Sequence, residues 1–141
     1  MYVVLTPADA NDATDLCSRR PPYFLETWLP KDDDIAALEA HWALLRVTDP
    51  VPICCGLHGS VGSMDAYYRQ YIGIIVEKRR SIYINAFAVD SMRLEDLNEP
   101  GWLRRPKRVC DGGTHFWGAV YDPSAGTFSD LRFNWPYWAL Q

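Results

Sequence analysis

Two stretches in the C-terminal half of the chain carry β-rich runs on both sides of a turn, and this pattern constrains the fold more than any other feature. In the first stretch, the run from Tyr67 to Glu77 is rich in Tyr, Ile and Val, and a second such run extends from Ser81 to Ala88. The charged residues Lys78-Arg79-Arg80 separate the two runs. Apolar, β-branched and aromatic runs flanking a turn are typical of paired strands. We therefore predict a β-hairpin over residues 67–88.

A second hairpin is predicted over residues 107–134. Its first strand begins near Val109 and resumes after a glycine pair, and its second strand returns from Thr127 to Phe133. The intervening Asp122-Pro123-Ser124-Ala125-Gly126 combines residues that favour tight turns. Two consecutive hairpins predict a four- or five-stranded antiparallel sheet. Because apolar residues occupy both faces of the strand that contains Ile82, we expect this strand to be central and covered on both sides.

One amphipathic helix is predicted over residues 30–46. Pro30 and the acidic run Asp32-Asp33-Asp34 suit a helix start, where carboxylates interact favourably with the helix dipole. The apolar residues that follow recur at helical spacing: Ile35, Leu38, Trp42 and Leu45. The predicted fold class is thus α+β, with the helix packed on one face of the antiparallel sheet.

We expect one domain over residues 1–141, because this length is common for a single hydrophobic core. Residues 1–29 are predicted to be an extended or short-helical lead-in, and residues 50–64 a long loop rich in glycine. A short helix is expected around 94–97. The aromatic tail, 135–141, is predicted to fold back onto the sheet in preference to meeting a partner, since burial within one chain costs no association entropy.

Charge and hydropathy exclude several classes of function. The formal net charge is −4, which argues against general binding of nucleic acid, although Arg104, Arg105, Lys107 and Arg108 form a local basic stretch. We interpret that stretch as a solvated turn. No apolar run reaches the length of a bilayer span, so no membrane partner is expected. We predict a cytoplasmic protein, or a periplasmic one if a signal peptide has been removed.

The C-terminal half also resembles a group of small uncharacterised bacterial proteins. The shared segments are Tyr67-Tyr68-Arg69-Gln70-Tyr71-Ile72-Gly73-Ile74, Ile82-Tyr83-Ile84-Asn85-Ala86-Phe87, Val109-Cys110-Asp111-Gly112-Gly113, Phe116-Trp117-Gly118, Tyr121-Asp122 and Phe133-Asn134. In that group Gly follows the final Phe-Asn, whereas Trp135 stands here, so the last turn is expected to differ. The resemblance implies the hairpins and a bacterial origin but brings no activity. A fainter likeness is to small β-rich inhibitor and immunity proteins.

Cysteine and histidine residues suggest one chemical hypothesis. Thiolates and imidazoles can converge on zinc, and Cys55, His58, Cys110 and His115 would supply such a set. Alternatively, Cys110 could act as a nucleophile with His115 as base and Asp111 as the orienting carboxylate. Neither arrangement has the spacing of familiar motifs, and the four cysteines could equally be small buried residues or form bridges in any of three pairings. We therefore predict no cofactor.

The segment Asp111-Gly112-Gly113 has two interpretations. Two glycines after an aspartate most simply indicate a bulge or tight turn with positive φ angles. The alternative is a close approach of the backbone to a ligand, with exposed amides forming an anion cup.

The aromatic content favours a binding function. The chain has six Trp, eight Tyr and five Phe, and such residues dominate the contact energy of protein interfaces. We therefore predict a non-catalytic module that binds another protein, for example a small inhibitor or immunity protein; the Cys/His enzyme or metal site is the alternative. The oligomeric state is left open. The predicted contact residues are Tyr67, Tyr68, Tyr71, Asp111, Gly112, Gly113, Trp117, Trp135 and Trp138.

Overall fold

Six strands join in one mostly antiparallel sheet in the computed structural model, which describes residues 1–46, 61–92 and 101–134. The fold class is α+β, as predicted. The strands are β1 (Tyr2–Val4), β2 (Glu26–Trp28), β3 (Tyr67–Val76), β4 (Arg79–Ala88), β5 (Gly113–Asp122) and β6 (Thr127–Asn134). The α-helices are α1 (Pro7–Ala10) and α2 (Asp32–Ala40).

The two predicted hairpins form the main body of the sheet. Strands β3 and β4 pair in register from Tyr67 with Ala88 to Val76 with Arg79, and β5 pairs with β6 across the predicted turn. The spatial order is β1-β3-β4-β5-β6. The predicted pairing is present in both hairpins, but the first strand of the second begins at Gly113 and not near Val109, which forms an isolated bridge with Cys17.

Two further strands come from the lead-in, where none was predicted. Strand β1 runs parallel to β3 at Arg69–Tyr71, and β2 runs antiparallel to β3 at Gly73–Ile75. Both therefore lie along the same edge of β3, opposite β4. Each is three residues long, which is too short for alternation to be visible in the sequence. The predicted count of four or five strands was low for this reason.

Strand β4 is central and buried on both sides, as predicted. Every residue from Ser81 to Phe87 is buried. Ile82 and Ile84 belong to one apolar core, whereas Tyr83 belongs to the other. The sheet therefore separates two cores.

The first core lies under α2. Ile35 and Leu38 from this helix, followed by Leu45, pack on Tyr71, Ile84 and the strands beside them. The carboxylate of Asp34 accepts a hydrogen bond from the backbone N–H of Lys31 at 2.8 Å, which caps the helix start as the acidic run predicted. The helix is shorter than predicted, because it ends at Ala40 and a 3₁₀ turn, Trp42–Leu44, continues it.

The second core lies under the lead-in, on the face for which no helix was predicted. Its members from the lead-in are Leu5, Ala10, Ala13, Leu16 and Phe24. They pack on Ile72, Ile74, Tyr83 and Val120 of the sheet. The first 24 residues thus form the second covering layer of the protein.

The predicted helix around 94–97, most of the predicted 50–64 loop and the aromatic tail at 135–141 lie outside the described residues. Within the described ranges, no helix has the length and hydropathy that a bilayer span requires.

Candidate functional site

A buried arginine organises the sheet face that the lead-in covers. Arg19 is 6% exposed, and its guanidinium donates to the Tyr83 hydroxyl at 2.7 Å, to Asn85 Oδ1 at 2.7 Å and to Asn134 Oδ1. All three acceptors are neutral, and no ion pair within the described residues includes Arg19. Burial lowers the pKa of the Arg19 guanidinium. The arginine links the lead-in to β4 and β6.

The same polar network fixes the segment that precedes β5. Gln70 Nε2 donates to the carbonyls of Trp102 at 2.5 Å and Arg105 at 2.6 Å, and Gln70 Oε1 accepts from the Lys107 N–H at 2.8 Å. Asn85 Nδ2 bridges Gln70 Oε1 and the Lys107 carbonyl, each at 2.9 Å. The buried side-chain amides of Gln70 and Asn85 therefore form hydrogen bonds with the backbone groups of this segment that face the sheet.

A disulfide joins the lead-in to that segment. The sulfurs of Cys17 and Cys110 are bonded, and the two residues lie 93 positions apart in sequence. Next to the bond, the Asp111 N–H donates to the Ser18 hydroxyl at 2.7 Å. The second covering layer is thus covalently tied to the start of β5.

The disulfide bears directly on the Cys/His hypothesis. With its sulfur bonded to Cys17, Cys110 has no thiolate to act as nucleophile or zinc ligand. His115 is exposed on β5, and Cys55 and His58 lie outside the described residues. In the part of the chain that the structure describes, no group of three or more His, Cys, Asp or Glu residues is placed to hold a metal ion.

The Asp111-Gly112-Gly113 segment is a tight turn, as the simpler interpretation held. The φ angles are 63°, 91° and 60°, all in the left-handed region. Asp111 and Gly112 are exposed, so the turn stands at the surface beside the disulfide. The amide of Asp111 is already used by Ser18, which leaves fewer donors for an anion cup.

The predicted aromatic contact residues divide between core and surface. Tyr67, Tyr71 and Trp117 are 7%, 0% and 0% exposed, so their side chains belong to the core under α2 and are not available to a partner. Tyr68 is half-buried on the opposite face, where its ring packs 5.2 Å from that of Trp102. Trp135 and Trp138 lie outside the described residues. The sequence could not separate these cases, because aromatic residues serve cores and interfaces alike.

A polar cluster ties α2 to the sheet inside the first core. The Tyr71 hydroxyl donates to Glu39 Oε1 at 2.9 Å, and Arg69 Nη1 lies 3.2 Å from the same oxygen. The Arg69 guanidinium also stands over the rings of Tyr2 and Trp42, at 5.7 and 5.9 Å. Burial raises the pKa of the Tyr71 hydroxyl well above its usual value, although the charge of Arg69 opposes the shift. The cluster is internal and serves packing.

Among the described residues, the two most exposed large apolar side chains lie in the lead-in, where no binding residue was predicted. Tyr23 and Leu25 are 80% and 81% exposed, and we call these two residues the β2 patch because they immediately precede β2. They border a cleft of about 460 Å³, whose other wall is formed by Ile75, Glu77, Lys78 and Arg80 at the tip of the first hairpin. The sequence signal that could have identified this patch is the apolar run Tyr23-Phe24-Leu25, which directly follows two prolines.

Strand β2 presents a free edge beside this patch. Its pairing with β3 uses one side only, and no other described strand pairs with it. The close approach of β2 to β3 requires a glycine at position 73, since a Cβ there would collide with the carbonyl of Trp28. Trp28 Nε1 fixes the strand further by donating to the carbonyls of Ile74 and Ser81, at 3.2 and 2.9 Å.

The hairpin tip on the far wall of the cleft has a strained backbone. Glu77 and Lys78 form the two-residue connection between Val76 and Arg79, with φ angles of 51° and 66°. A turn with two such angles strongly favours Asn and Gly. Strain of this kind is concentrated at functional sites. The cleft therefore combines an exposed apolar patch, a free strand edge and a strained turn.

No family model, curated protein sequence or solved structure matches the chain.

Proposed function

We propose that this chain is a non-catalytic protein-binding module that captures an extended segment of a partner protein along the free edge of β2. The observation that carries the proposal is the exposure of the β2 patch, Tyr23 at 80% and Leu25 at 81%, beside that edge. A strand edge supplies backbone donors and acceptors, and adjacent apolar side chains supply contact energy. The two together make a surface for a peptide in extended conformation.

The energetic argument rests on apolar area. Burying one large apolar side chain is worth about 1.5–3 kcal/mol, and tyrosine is among the residues that most often dominate binding. The cleft beside the patch has room for side chains of an incoming strand, and the residues that line it carry both charges, Glu26 and Glu77 on the one hand and Lys78 and Arg80 on the other. Such mixed charges favour a specific partner over nonspecific association.

The form of binding that we propose is inhibition of a bacterial partner protein. The likeness of the C-terminal half to small β-rich inhibitor and immunity proteins supports this form. The Cys17–Cys110 disulfide supports the periplasmic alternative over the cytoplasmic one, because disulfides persist in oxidising compartments.

The test is partner capture followed by an affinity measurement. The immobilised chain is incubated with periplasmic extract of the source cells, and retained proteins are identified by mass spectrometry. The same capture is repeated with the double variant Tyr23→Ser, Leu25→Ser. We expect at least one stoichiometric partner to be retained by the wild type and bound about a hundredfold more weakly by the variant.

The matched control removes apolar side chains elsewhere. Leu44 and Leu103 are also exposed, at 54% and 39%, and neither borders the cleft. The variant Leu44→Ser, Leu103→Ser should retain the partner with unchanged affinity. Equal retention by both double variants would overturn the proposal. A homodimer in solution that the Tyr23→Ser, Leu25→Ser variant loses would also overturn it and would assign the edge to a second copy.

A further inference from the structure

The segment 104–108, which we call the basic loop, is the densest positive charge in the chain. It places four cations within five residues: Arg104, Arg105, Lys107 and Arg108. The side chains of the three arginines are exposed, and none of them forms an ion pair with an acid in the described ranges. From the sequence alone, this stretch is expected to be a solvated turn.

Buried side chains hold the backbone of the basic loop by hydrogen bonds. Gln70 binds the Arg105 carbonyl and the Lys107 amide, and Asn85 binds the Lys107 carbonyl. Asn134 Nδ2 donates to the carbonyl of Val109 at 2.9 Å. Two buried amide side chains thus hold the inner side of the loop, and a third holds the residue that follows it.

Both ends of the loop are anchored as well. Before it, Trp102 is 6% exposed and packs on Tyr68 and Phe87, with ring centroids 5.2 and 5.7 Å apart. After it, Cys110 is bonded to Cys17. A solvated turn needs no such anchoring. Fixing the backbone beforehand lowers the entropy that a binding partner must remove.

We propose that the basic loop is a preorganised binding surface for an acidic segment of a partner protein. Arginine pairs with carboxylates through two parallel hydrogen bonds, which a lysine cannot do, and three of the four cations are arginines. The net charge of −4 disfavours a long polyanion, because the rest of the molecule would repel it, whereas a short acidic segment contacts the loop alone. This favours protein over nucleic acid as the occupant.

The proposal goes beyond the β2 edge and does not depend on it. None of the residues that line the cleft beside the β2 patch belongs to the basic loop. Loss of binding in basic-loop variants and loss of binding in β2-patch variants are therefore separate results.

The test uses a fluorescently labelled oligo-glutamate peptide and fluorescence anisotropy at low ionic strength, with the intact chain. The triple variant Arg104→Gln, Arg105→Gln, Arg108→Gln should bind the peptide about tenfold more weakly than the wild type, since exposed ion pairs each contribute modestly. Added salt should weaken wild-type binding and reduce the difference between the two proteins.

A second triple variant controls for net charge. Lys31, Arg46 and Arg132 are exposed cations outside the basic loop, and their replacement by Gln removes the same total charge. This control should bind the peptide within about threefold of the wild type. Circular dichroism of both variants establishes that they are folded.

Three outcomes would overturn the proposal. The first is equal weakening by the two triple variants, which would show only a net-charge effect. The second is wild-type binding no tighter than that of the basic-loop variant, which would show that the three arginines do not contact the peptide. The third is tighter binding of single-stranded oligo-dT or duplex RNA than of oligo-glutamate at equal salt, which would assign the loop to nucleic acid.

Discussion

Arg19 Nη1 donates a hydrogen bond of 2.7 Å to the hydroxyl of Tyr83 directly beside Gly118 of the neighbouring strand. A Cβ at position 118 would collide with both of these groups. The buried guanidinium therefore depends on a missing side chain in β5. Removing or displacing the Arg19 guanidinium would leave Asn85 and Asn134 without their charged hydrogen-bond donor.

Gly118→Ala should destabilise the protein by about 3 kcal/mol, because the methyl group must push apart a buried, hydrogen-bonded pair. Chemical denaturation monitored by tryptophan fluorescence gives the free energy of unfolding. Gly101→Ala is the matched control, since a Cβ there meets open space and the residue has no positive φ. A loss no larger for Gly118→Ala than for Gly101→Ala would contradict the close packing of Arg19.

Removing the disulfide should have a large effect on stability. Cys17 and Cys110 lie 93 positions apart, and closing a loop of that length restricts the unfolded chain strongly. The double variant Cys17→Ser, Cys110→Ser should lose about 4 kcal/mol in the free energy of unfolding. A reducing agent should lower the stability of the wild type to the level of the variant and leave the variant unchanged. Equal stability of oxidised and reduced wild type would count against the bridge.

The strained hairpin tip should be open to stabilisation. Replacing Glu77 by Asn and Lys78 by Gly matches the residue types to the positive φ angles and should raise the free energy of unfolding by about 1–2 kcal/mol. Ser124→Gly provides the comparison, because Ser124 lies in the other hairpin turn without a positive φ. At position 124, glycine should slightly lower the free energy of unfolding, because it adds conformational freedom to the unfolded chain without relieving a positive φ. A decrease in both variants would refute the turn geometry.

Stability should fall at alkaline pH. Burial raises the pKa of the Tyr67, Tyr71 and Tyr83 hydroxyls, so each stays protonated in the folded chain at pH values where the unfolded chain ionises. Their contribution is complete below the unfolded pKa of about 10 and is lost as pH rises towards the folded pKa, at about 1.4 kcal/mol per pH unit for each tyrosine.

Tyr71→Phe isolates one of these contributions. Urea denaturation of the wild type and of this variant between pH 8 and about 11 gives two stability curves, and their difference cancels the lysine and arginine titrations. The curve of the variant should fall less steeply above pH 10 by one proton equivalent. Parallel curves would mean that the Tyr71 hydroxyl ionises as readily in the folded chain as in the unfolded one.

The hairpins were predictable because their signals are local. Strands β3 and β4 are each ten residues long and meet through two residues, so the pairing follows from neighbouring segments. The start of α2, which Asp34 caps, was predictable for the same reason, because the acidic run lies next to the helix in sequence. The end of α2 was placed too late, because the apolar spacing of Trp42 and Leu45 continues through a 3₁₀ turn.

The lead-in and the site were not predictable from such signals. The contacts of β1 and β2 with β3 lie more than forty positions away in sequence, and short strands have no usable periodicity. Tyr67, Tyr71 and Trp117 are interior residues because they lie in the core under α2, and Tyr83 is interior because the lead-in covers the other face. The surface aromatics then come from the covering layer itself, at Tyr23.

The parallel placement of β1 against β3 suggests an order of assembly. The four strands from β3 to β6 follow one another along the sheet, so they can form by local pairing, whereas the N-terminal layer must close over a large sequence distance. In the folded chain, the seating of that layer on the sheet places Cys17 against Cys110. The disulfide would then form after the N-terminal layer has docked on the sheet. The rate at which free thiols disappear during refolding would therefore report the last step of folding.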